Sequence, residues 1–394
     1  MRERAERMLA LGLDGRLKHF RIDLTRLEDT ADLVLKLTRE AYPALDVPFH
    51  SRWRHFVVDG EDRWTAIDNA ARWPDAAARG RAAFDLAIVS VLLDAGAGTA
   101  WRYRDAVSGR EIGRSEGLAL ASLDMFAAGA FSATDDPLRV DATALAALSD
   151  DALRRGFQVS ADNPLAGVDG RADLLRRLGR TVAENPAVFA QRDRPRPGGL
   201  FDNLSALAQN GSIPAPKILA ELLRHLAPIW PSRLTLADVA LGDCWRHSLL
   251  VTSDATSGLM PLHKLSQWMS YSLIEPLQAA GITVTDVDGL TGLAEYRNGG
   301  LLIDAGVLAL RDPAAAAQQH TVDSELVVEW RALTVALLDR LAALVRTRLN
   351  MDAATLPLAK ILQGGTWTAG RHIARQLRPD GSPPLRIVSD GTVF

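Results

Sequence analysis

The chain has 394 residues, with 45 basic and 48 acidic side chains and a formal net charge of −3. This length predicts two or three domains or one large domain, and it is enough to bury a core without disulfides. The near-neutral total excludes a global basic field, so generic binding to nucleic acid or to anionic membranes is not expected. The single cysteine, Cys244, excludes an intrachain disulfide and a thiolate metal cluster.

The basic residues are unevenly divided between the two types. Only five are lysine and the other 40 are arginine. A GC-rich genome is one explanation. The other is that some of these arginines hold anions, because a guanidinium binds carboxylate or phosphate with two parallel hydrogen bonds.

No segment resembles a signal peptide or a membrane span. Arg, Asp or Lys interrupts every apolar run in the first twenty residues, and the longest apolar stretch is Leu86–Leu93. A bilayer needs about 20 apolar residues in a row. We therefore expect a cytoplasmic protein with no membrane partner.

Apolar residues at three- and four-residue spacing, the pattern of amphipathic helices, dominate the chain. The segments with this pattern are Leu27–Tyr42, Ala76–Asp94, Glu116–Ala128, Thr143–Gly156, Arg171–Asn185, Ala215–Leu226, Lys264–Ala280, Ser324–Leu349 and Arg371–Leu377. Strand patterns are short and isolated, at Phe56–Val58, Ile282–Val287 and Leu385–Val388. The sequence predicts a mainly α, multi-helix globular fold with at most a few short strands.

Local signals mark helix ends and connections. Asp323 is placed to cap the N-terminus of the longest helix, and Gly96 with Gly98 is placed to end Ala76–Asp94. Asp312–His320 is predicted to be an exposed connection.

The clearest linker is Pro186–Gly199, which is rich in proline, arginine and glycine. It predicts a boundary between an N-terminal helical lobe at 1–185 and a C-terminal helical lobe at 200–394. A single domain with a long surface loop is an equal alternative.

Motifs for phosphate and metal chemistry are missing from the sequence. No GxxxxGK[ST], HExxH or GxSxG pattern occurs. Asp94–Trp101 superficially resembles a dinucleotide-binding turn, but it lacks the third glycine and follows a helical run. Cys244 and His247, three residues apart, favour core packing over metal ligation. We expect neither a metal nor another cofactor.

Pro48–Val57 concentrates aromatic and cationic side chains. One interpretation is an amphipathic element at an interface between lobes. The other is a wall on which Trp53 stacks against a flat ligand while Arg52 or Arg54 holds an anion.

The segment with the densest polar chemistry is Leu262–Leu308, which contains Lys264 and the tripeptide Glu295-Tyr296-Arg297. Asn298-Gly299-Gly300 follows, and a Gly-Gly turn there would let the backbone approach a ligand. The alternative is an ion pair between Glu295 and Arg297 beside a helix start.

Several long runs carry a family resemblance. They are Arg114–Ala121 with Met125–Phe131, Trp230–Leu250, Leu290–Leu308 and Gly364–Pro384. Together these runs resemble the uracil-catabolism protein 4 family of fungi and bacteria, over nearly the whole chain. The resemblance implies a role in a uracil-degrading route that proceeds through a ribosylated intermediate.

A more distant resemblance covers the C-terminal half. The residues that carry it are Gly199–Asn203, Lys264 with Gln267, Leu290–Arg297, Gly306–Leu308 and Glu329–Ala332. Their order is similar to that of the queuosine 5′-phosphate N-glycosidases, which are helical and akin to DNA glycosylases. That family has aspartate where this chain has Glu295, so the carboxylate lies one methylene further out.

The two resemblances together imply hydrolysis of the N-glycosidic bond of a nucleoside 5′-monophosphate or its ring-opened derivative, with release of ribose 5-phosphate. The implied catalytic residues are Glu295 first, Asp202 as a second carboxylate, and His50 to protonate the leaving group. The implied substrate-binding residues are Lys264 and Arg297 for the phosphate, Trp53 or Tyr296 for the base, and Arg54. The expected partner is therefore a small nucleotide-like substrate.

Two other functions remain open at this point. One is a non-catalytic nucleotide-binding or scaffold protein of the same pathway. The other is a DNA glycosylase, which the lack of a basic stripe disfavours. The sequence does not determine the oligomeric state.

Overall fold

The computed structural model describes residues 1–98, 100–190, 194–231 and 234–388. Helices dominate the described chain, and the strands are two or three residues long. The predicted mainly α fold class is therefore confirmed. No helix of the described residues has the length and apolarity to cross a bilayer.

The α-helices of the described chain include every segment predicted from periodicity, together with others that were not predicted. They are α1 Arg2–Leu13, α2 Thr25–Ala41, α3 Arg63–Ala70, α4 Ala76–Leu92, α5 Arg114–Ala127, α6 Ala142–Ala146, α7 Asp150–Gly156, α8 Val168–Glu184, α9 Pro186–Phe189, α10 Gly199–Leu207, α11 Ala215–Leu226, α12 Lys264–Ala279, α13 Tyr296–Asp304, α14 Glu325–Leu349, α15 Leu358–Ile361 and α16 Trp367–Leu377. Short 3₁₀ turns lie at Arg52–Phe56, Ala227–Ile229, Val287–Gly289 and Pro313–Ala317, and a π turn lies at Leu362–Thr366.

The strands form two-stranded ladders. They are β1 Phe20–Ile22, β2 Val57–Val58, β3 Glu61–Asp62, β4 Tyr103–Arg104, β5 Glu111–Ile112, β6 Ser212–Pro214, β7 Thr235–Leu236, β8 Val239–Ala240, β9 Cys244–Arg246, β10 Leu259–Pro261, β11 Thr283–Thr285, β12 Leu308–Leu310, β13 Gln319–Thr321 and β14 Arg386–Val388. Among the described residues the ladders β1–β12, β2–β3, β4–β5, β7–β8 and β9–β10 are antiparallel, whereas β6–β11 and β13–β14 are parallel.

The described chain divides into two compact units. The first unit comprises residues 1–50, 234–267 and 286–388, and the second comprises the described residues of 51–231 together with 268–285. The division falls within α12, after Gln267. Pro186–Gly199 belongs to the second unit, and residues 191–193 of it lie outside the described residues, so the predicted lobe boundary there stays a prediction.

The first unit is built on α14. Its residues from Leu326 to Leu338 are buried without interruption, which is expected of a helix that has neighbours on every face. Helices α1, α2 and α13 pack against it. Strand β1 pairs with β12, so Phe20 lies opposite Leu310 and the start of the chain is fixed to this core.

The second unit is built on α4, which packs against α5, α8 and α10. One buried carboxylate, Asp85, is used to join separate segments. It accepts hydrogen bonds from Arg196 Nε at 2.9 Å and from the backbone N–H groups of Val140 and Gly198. Burial raises the pKa of Asp85, against the charge of Arg196.

Two predicted helix ends are wrong. Ser324, not Asp323, caps α14, since its Oγ accepts the Val327 N–H at 3.4 Å. Helix α4 ends at Leu92, before Gly96 and Gly98. The loop that follows is held by the buried Arg171, whose Nε donates to the Leu93 carbonyl at 3.0 Å.

Other details also differ from the prediction. The single helix predicted over Thr143–Gly156 is two helices, α6 and α7. Cys244 lies on β9, and both Cys244 and His247 are buried, as core packing predicts.

The predicted Gly-Gly turn does not exist. Gly299 and Gly300 are inside α13, where Gly299 lies against the indole of Trp330. A Cβ on Gly299 would lie 2.6 Å from Trp330 Cε2, so the glycine is required for helix packing.

Candidate functional site

Glu295 is the N-cap of α13. Its Oε2 accepts the Arg297 N–H at 2.6 Å, and its Oε1 accepts the Asn298 N–H at 2.7 Å. A carboxylate is favourable at this position because the helix dipole presents positive charge there. The side chain is almost fully buried, so two backbone donors fix its orientation.

The electrostatic surroundings of Glu295 are mixed. Burial raises its pKa, while the two backbone N–H groups and the positive charges of Lys264 and Arg297 act in the opposite direction; the net pKa is above the usual value. A buried carboxyl group beside two cations is an arrangement found at functional sites.

An ion pair joins the segments that carry Lys264 and Glu295. Asp243 accepts two hydrogen bonds from Arg331, each 2.7 Å, and accepts the backbone N–H of Lys264 at 2.8 Å. Arg331 Nε donates to the carbonyl of Ala294 at 3.0 Å. One bidentate pair therefore fixes both the first residue of α12 and the residue before Glu295.

Asp243 is ionised in this arrangement. Burial raises the pKa of its carboxyl, but the charge and the hydrogen bonds of Arg331 outweigh burial and hold the pKa well below its usual range. His263, which precedes Lys264, has a left-handed backbone conformation with φ of 48°. Burial lowers the pKa of His263, against the charge of Asp243.

Gln267 gives a further connection between α12 and the segment before Glu295. Its Oε1 accepts the backbone N–H of Thr291 at 3.2 Å. Thr366 Oγ1 donates to Asn298 Oδ1 at 2.8 Å, just after Glu295 in the chain. Hydrogen bonds to Thr291, before Glu295, and to Asn298, after it, thus fix the segment that carries Glu295.

Tyr296 and Arg297 also lie in the first unit. The Arg297 guanidinium is 5.0 Å from the centre of the Tyr296 ring, and its Nη1 donates to the Gly381 carbonyl at 2.8 Å. Glu295 also accepts the backbone N–H of Arg297, and the side-chain ion pair between these two residues stays a prediction.

His50 is buried in the first unit against the start of α16. Its Nδ1 is 2.9 Å from Gln363 Oε1, and its ring centre is 5.9 Å from that of Trp367. These contacts fix the ring. The proposed role of His50 in protonating a leaving group stays a prediction.

Asp202, Trp53 and Arg54 belong to the second unit. Asp202 forms a bidentate pair with Arg81, at 2.8 and 3.0 Å. Trp53 Nε1 donates to the Ser272 carbonyl at 2.7 Å. Arg54 Nη2 is 2.5 Å from Glu275 Oε1. Their roles as a second carboxylate and as substrate-binding residues stay predictions.

The sequence analysis assigned no role to Asp243, Arg331 or His263. A signal for Arg331 was present, because an arginine inside the apolar run of a long helix must find a buried carboxylate or carbonyl. The partner, 88 residues away, had no local signal.

Within the described ranges, no group of three or more His, Cys, Asp or Glu residues is placed to hold a metal ion. The chemistry that these side chains offer is a fixed buried carboxylate, two nearby cations and hydrogen-bonding groups around them.

Comparisons with known proteins give matches over the full length. A family model described as "Protein of unknown function (DUF1688)" matches residues 1–394. The protein named "Protein urg3" from Schizosaccharomyces pombe is 40% identical over 406 residues, which cover 100% of this chain and 96% of that protein. The protein named "Uracil catabolism protein 4" from Lachancea kluyveri is 37% identical over 419 residues, covering 97% and 93% respectively.

Proposed function

The chain belongs to the uracil-catabolism protein 4 family, whose model carries the description DUF1688, and on this premise we propose that it acts in uracil catabolism as an N-glycosidase. The substrate is a nucleoside 5′-monophosphate or its ring-opened derivative, and one product is ribose 5-phosphate. Membership of this family supports a role in uracil catabolism. The chemical step is supported by the residues around Glu295.

The single observation that carries the proposal is the buried, doubly hydrogen-bonded Glu295 carboxylate near two cations. Cleavage of an N-glycosidic bond develops positive charge on the sugar, as O-glycoside cleavage does. A fixed carboxylate in a water-poor site stabilises such a charge strongly, because it needs no reorganisation during the reaction.

In the proposed step, the bond between the anomeric carbon and the base nitrogen breaks, and its electron pair goes to that nitrogen. The oxygen of a water molecule forms the new bond to the anomeric carbon. Glu295 accepts a proton from this water, and the leaving nitrogen receives one proton in the overall reaction. Atoms and charge balance without an oxidant or a reductant.

The cations act on the phosphate in this proposal. Lys264 provides a point charge, and Arg297 adds its charge while its Nη1 ties α13 to residue 381. Tyr296 stacks on the base or on the sugar. Asp243 and Arg331 are positioning residues, because they hold the segments of Lys264 and Glu295 without taking part in the chemistry.

Variants of Glu295 test the proposal. Glu295→Gln keeps the size of the side chain, and Glu295→Ser keeps a favourable N-cap while removing the carboxylate. We expect both to lower release of ribose 5-phosphate from uridine 5′-phosphate or its ring-opened product by about 100-fold or more. The measurement is product release by the purified full chain, with the melting temperature as the folding control.

The pH dependence gives a second readout. The proposed step needs the ionised form of Glu295, and its pKa lies above the usual 4.5. Activity should therefore fall as the pH decreases through that raised pKa. Full activity of the Ser variant would show that another group performs the step. A pH–activity profile whose fall in acid is unchanged by Glu295→Asp would show the same.

One observation favours a second function. Both oxygens of Glu295 already accept helix N–H groups, which is the arrangement of a purely structural N-cap. The second candidate is therefore a non-catalytic nucleotide-binding protein of the pathway. It predicts that nucleotide raises the melting temperature while no product forms in any condition.

A further inference from the structure

The proposed step leaves the source of one proton unassigned. Glu295 takes a proton from water, whereas the leaving nitrogen must gain one. His50, which the resemblance implies for this task, already engages Gln363 through its Nδ1. A side chain that supplies the proton must titrate, must be reachable by a ligand and must be held near Glu295. His263, the residue before α12, has these properties.

The backbone of His263 is fixed on both sides. Its N–H donates to the carbonyl of Asp243 at 3.1 Å, and its carbonyl accepts the N–H of Gln267 at 2.9 Å. Its φ of 48° lies in the left-handed region, which is uncommon for a residue other than glycine and costs free energy. Positions of this kind cluster at functional sites, and this one carries a titratable side chain.

The imidazole of His263, in contrast, is not engaged. Its ring nitrogens make no hydrogen bond and no ion pair with the residues that the structure describes. The side chain is partly exposed, so a ligand can reach it without moving the core. His247 shows the opposite arrangement, because it is fully buried beside Glu329. A fixed backbone with an unengaged, reachable imidazole is suited to proton transfer.

The ion pair already described relates His263 to Glu295. Asp243 accepts the backbone N–H of Lys264 and pairs with Arg331. Arg331 donates to the carbonyl of the residue before Glu295. The charges of Asp243 and Arg331 both act on His263, and the charge of Lys264 acts on Glu295. The two titratable groups therefore lie on the two segments that this pair joins, within the first unit.

The electrostatic surroundings make the protonated imidazole a strong acid. Burial lowers the pKa of His263 from its usual 6.5, the charge of Asp243 opposes this, and the α-amino group of Met1 and the charge of Arg331 lower it further. An imidazolium with a lower pKa gives up its proton more readily, although a smaller fraction is protonated at neutral pH. Such a donor works best on the acid side of neutrality.

We infer that His263 is the catalytic acid of the proposed reaction, whose imidazolium donates a proton to the departing nitrogen of the base while Glu295 accepts one from water. The N–H bond of the imidazolium breaks, and a new N–H bond forms on the base. Solvent then reprotonates the imidazole and removes the proton from Glu295, so atoms and charge balance over the turnover. The inference rests on the proposed function, since it assigns a role within that reaction.

Two substitutions remove the acid without straining the backbone. Glycine and asparagine both accept a left-handed φ, so His263→Asn and His263→Gly should melt at or above the temperature of the native protein. Their kcat/KM for release of ribose 5-phosphate should nevertheless fall by about 100-fold. The measurement uses the full chain with uridine 5′-phosphate or its ring-opened product, from acid to alkaline pH. Native kcat/KM in either variant would overturn the inference.

The pH profile separates a proton donor from a structural residue. In the native protein kcat/KM should decrease as the pH rises through the pKa of His263, which lies below 6.5. This alkaline decrease should be absent from His263→Asn, while the decrease in acid that depends on Glu295 stays. The phosphate of the substrate also titrates near a pH of about 6, but it does so equally with every variant.

Added imidazole gives a matched comparison of the two variants. It should restore part of the activity of His263→Gly, which lacks the side chain, and not that of His263→Asn, where the amide takes its place. An alkaline decrease that persists in His263→Asn, or a Gly variant that imidazole does not activate, would overturn the inference.

Two further outcomes are distinguishable from these. Loss of the alkaline decrease in His50→Gln would make His50 the acid and would also overturn the inference. If the native protein itself releases no ribose 5-phosphate, the proposed function fails and the role of His263 fails with it. Product release by the native protein with an unchanged profile in His263→Asn would overturn the role of His263 alone.

Discussion

The buried arginines are cross-links of the fold. Arg52, Arg171 and Arg331 are at most 1% exposed. Arg52 bonds to Ser90 and pairs with Asp94, Arg171 donates to backbone carbonyls, and Arg331 joins a carboxylate to a carbonyl. All three guanidinium groups therefore have partners inside the protein. A guanidinium has five donors in a fixed plane, which suits it to join several acceptors at once.

The pair of Asp243 with Arg331 gives a prediction on stability. Asp243→Asn and Arg331→Met each leave the other group buried without its partner, so each should lower the free energy of unfolding by about 3–5 kcal/mol. The double variant should lose less stability than the sum of the two single variants, because both charges are then removed and neither is buried without its partner. Urea unfolding followed by circular dichroism measures all four proteins.

The same pair determines a pH dependence. The pKa of Asp243 is lower in the folded state than its ordinary value of 3.8, so its contribution to stability is present above that pH and is lost as the pH falls. The difference between the native protein and Asp243→Asn should therefore shrink in acid. Strict additivity in the cycle, or a difference that does not change with pH, would contradict the role assigned to the pair.

At the scale of elements, apolar periodicity predicts most of the longer helices. The predicted bounds of α11 match the structure, and those of α2, α4 and α12 differ by one or two residues. Helix α13 was missed because two glycines inside nine residues disfavour a helix locally. Close packing on Trp330 outweighs that preference, and packing over such a distance has no local signal.

The corrected N-cap of α14 is testable with adjacent substitutions. Ser324→Ala removes the acceptor for the Val327 N–H and should lower the free energy of unfolding by about 1 kcal/mol. Asp323→Ala, at the exposed residue predicted from the sequence, is the matched control and should have a much smaller effect. Thermal melts of both variants give the comparison. A larger loss in the Asp323 variant would restore the sequence-based assignment.

At the scale of the whole molecule, the candidate site joins residues that are far apart in the chain. Short motifs predicted Lys264 and Glu295, because lysine is rare in this chain and the Glu-Tyr-Arg tripeptide is dense in chemistry. The ion pair that fixes both of them comes from Asp243, the residue before β9, and from Arg331 of α14. Sequence patterns therefore gave candidate site residues, while their supporting partners required the structure.

The discontinuous first unit yields a prediction about fragments. Residues 200–394 alone lack α1, which packs on α14, and lack Phe20–Ile22, which pairs with Leu308–Leu310. This fragment should show no cooperative thermal transition by circular dichroism, because the face of α14 covered by α1 would be exposed to water.

A chain cut within 186–199 is the matched control for this fragment. The full protein, carrying a protease site inserted between 190 and 194 and then cleaved, contains the same C-terminal residues but keeps residues 1–50 in place. It should retain its melting transition, since the contacts of α14 with α1 and of β1 with β12 do not depend on that connection. A cooperative transition in the isolated 200–394 fragment would instead support the lobe boundary predicted from the sequence. The first unit would then not need its N-terminal segment, although that segment supplies both a helix and a strand to it.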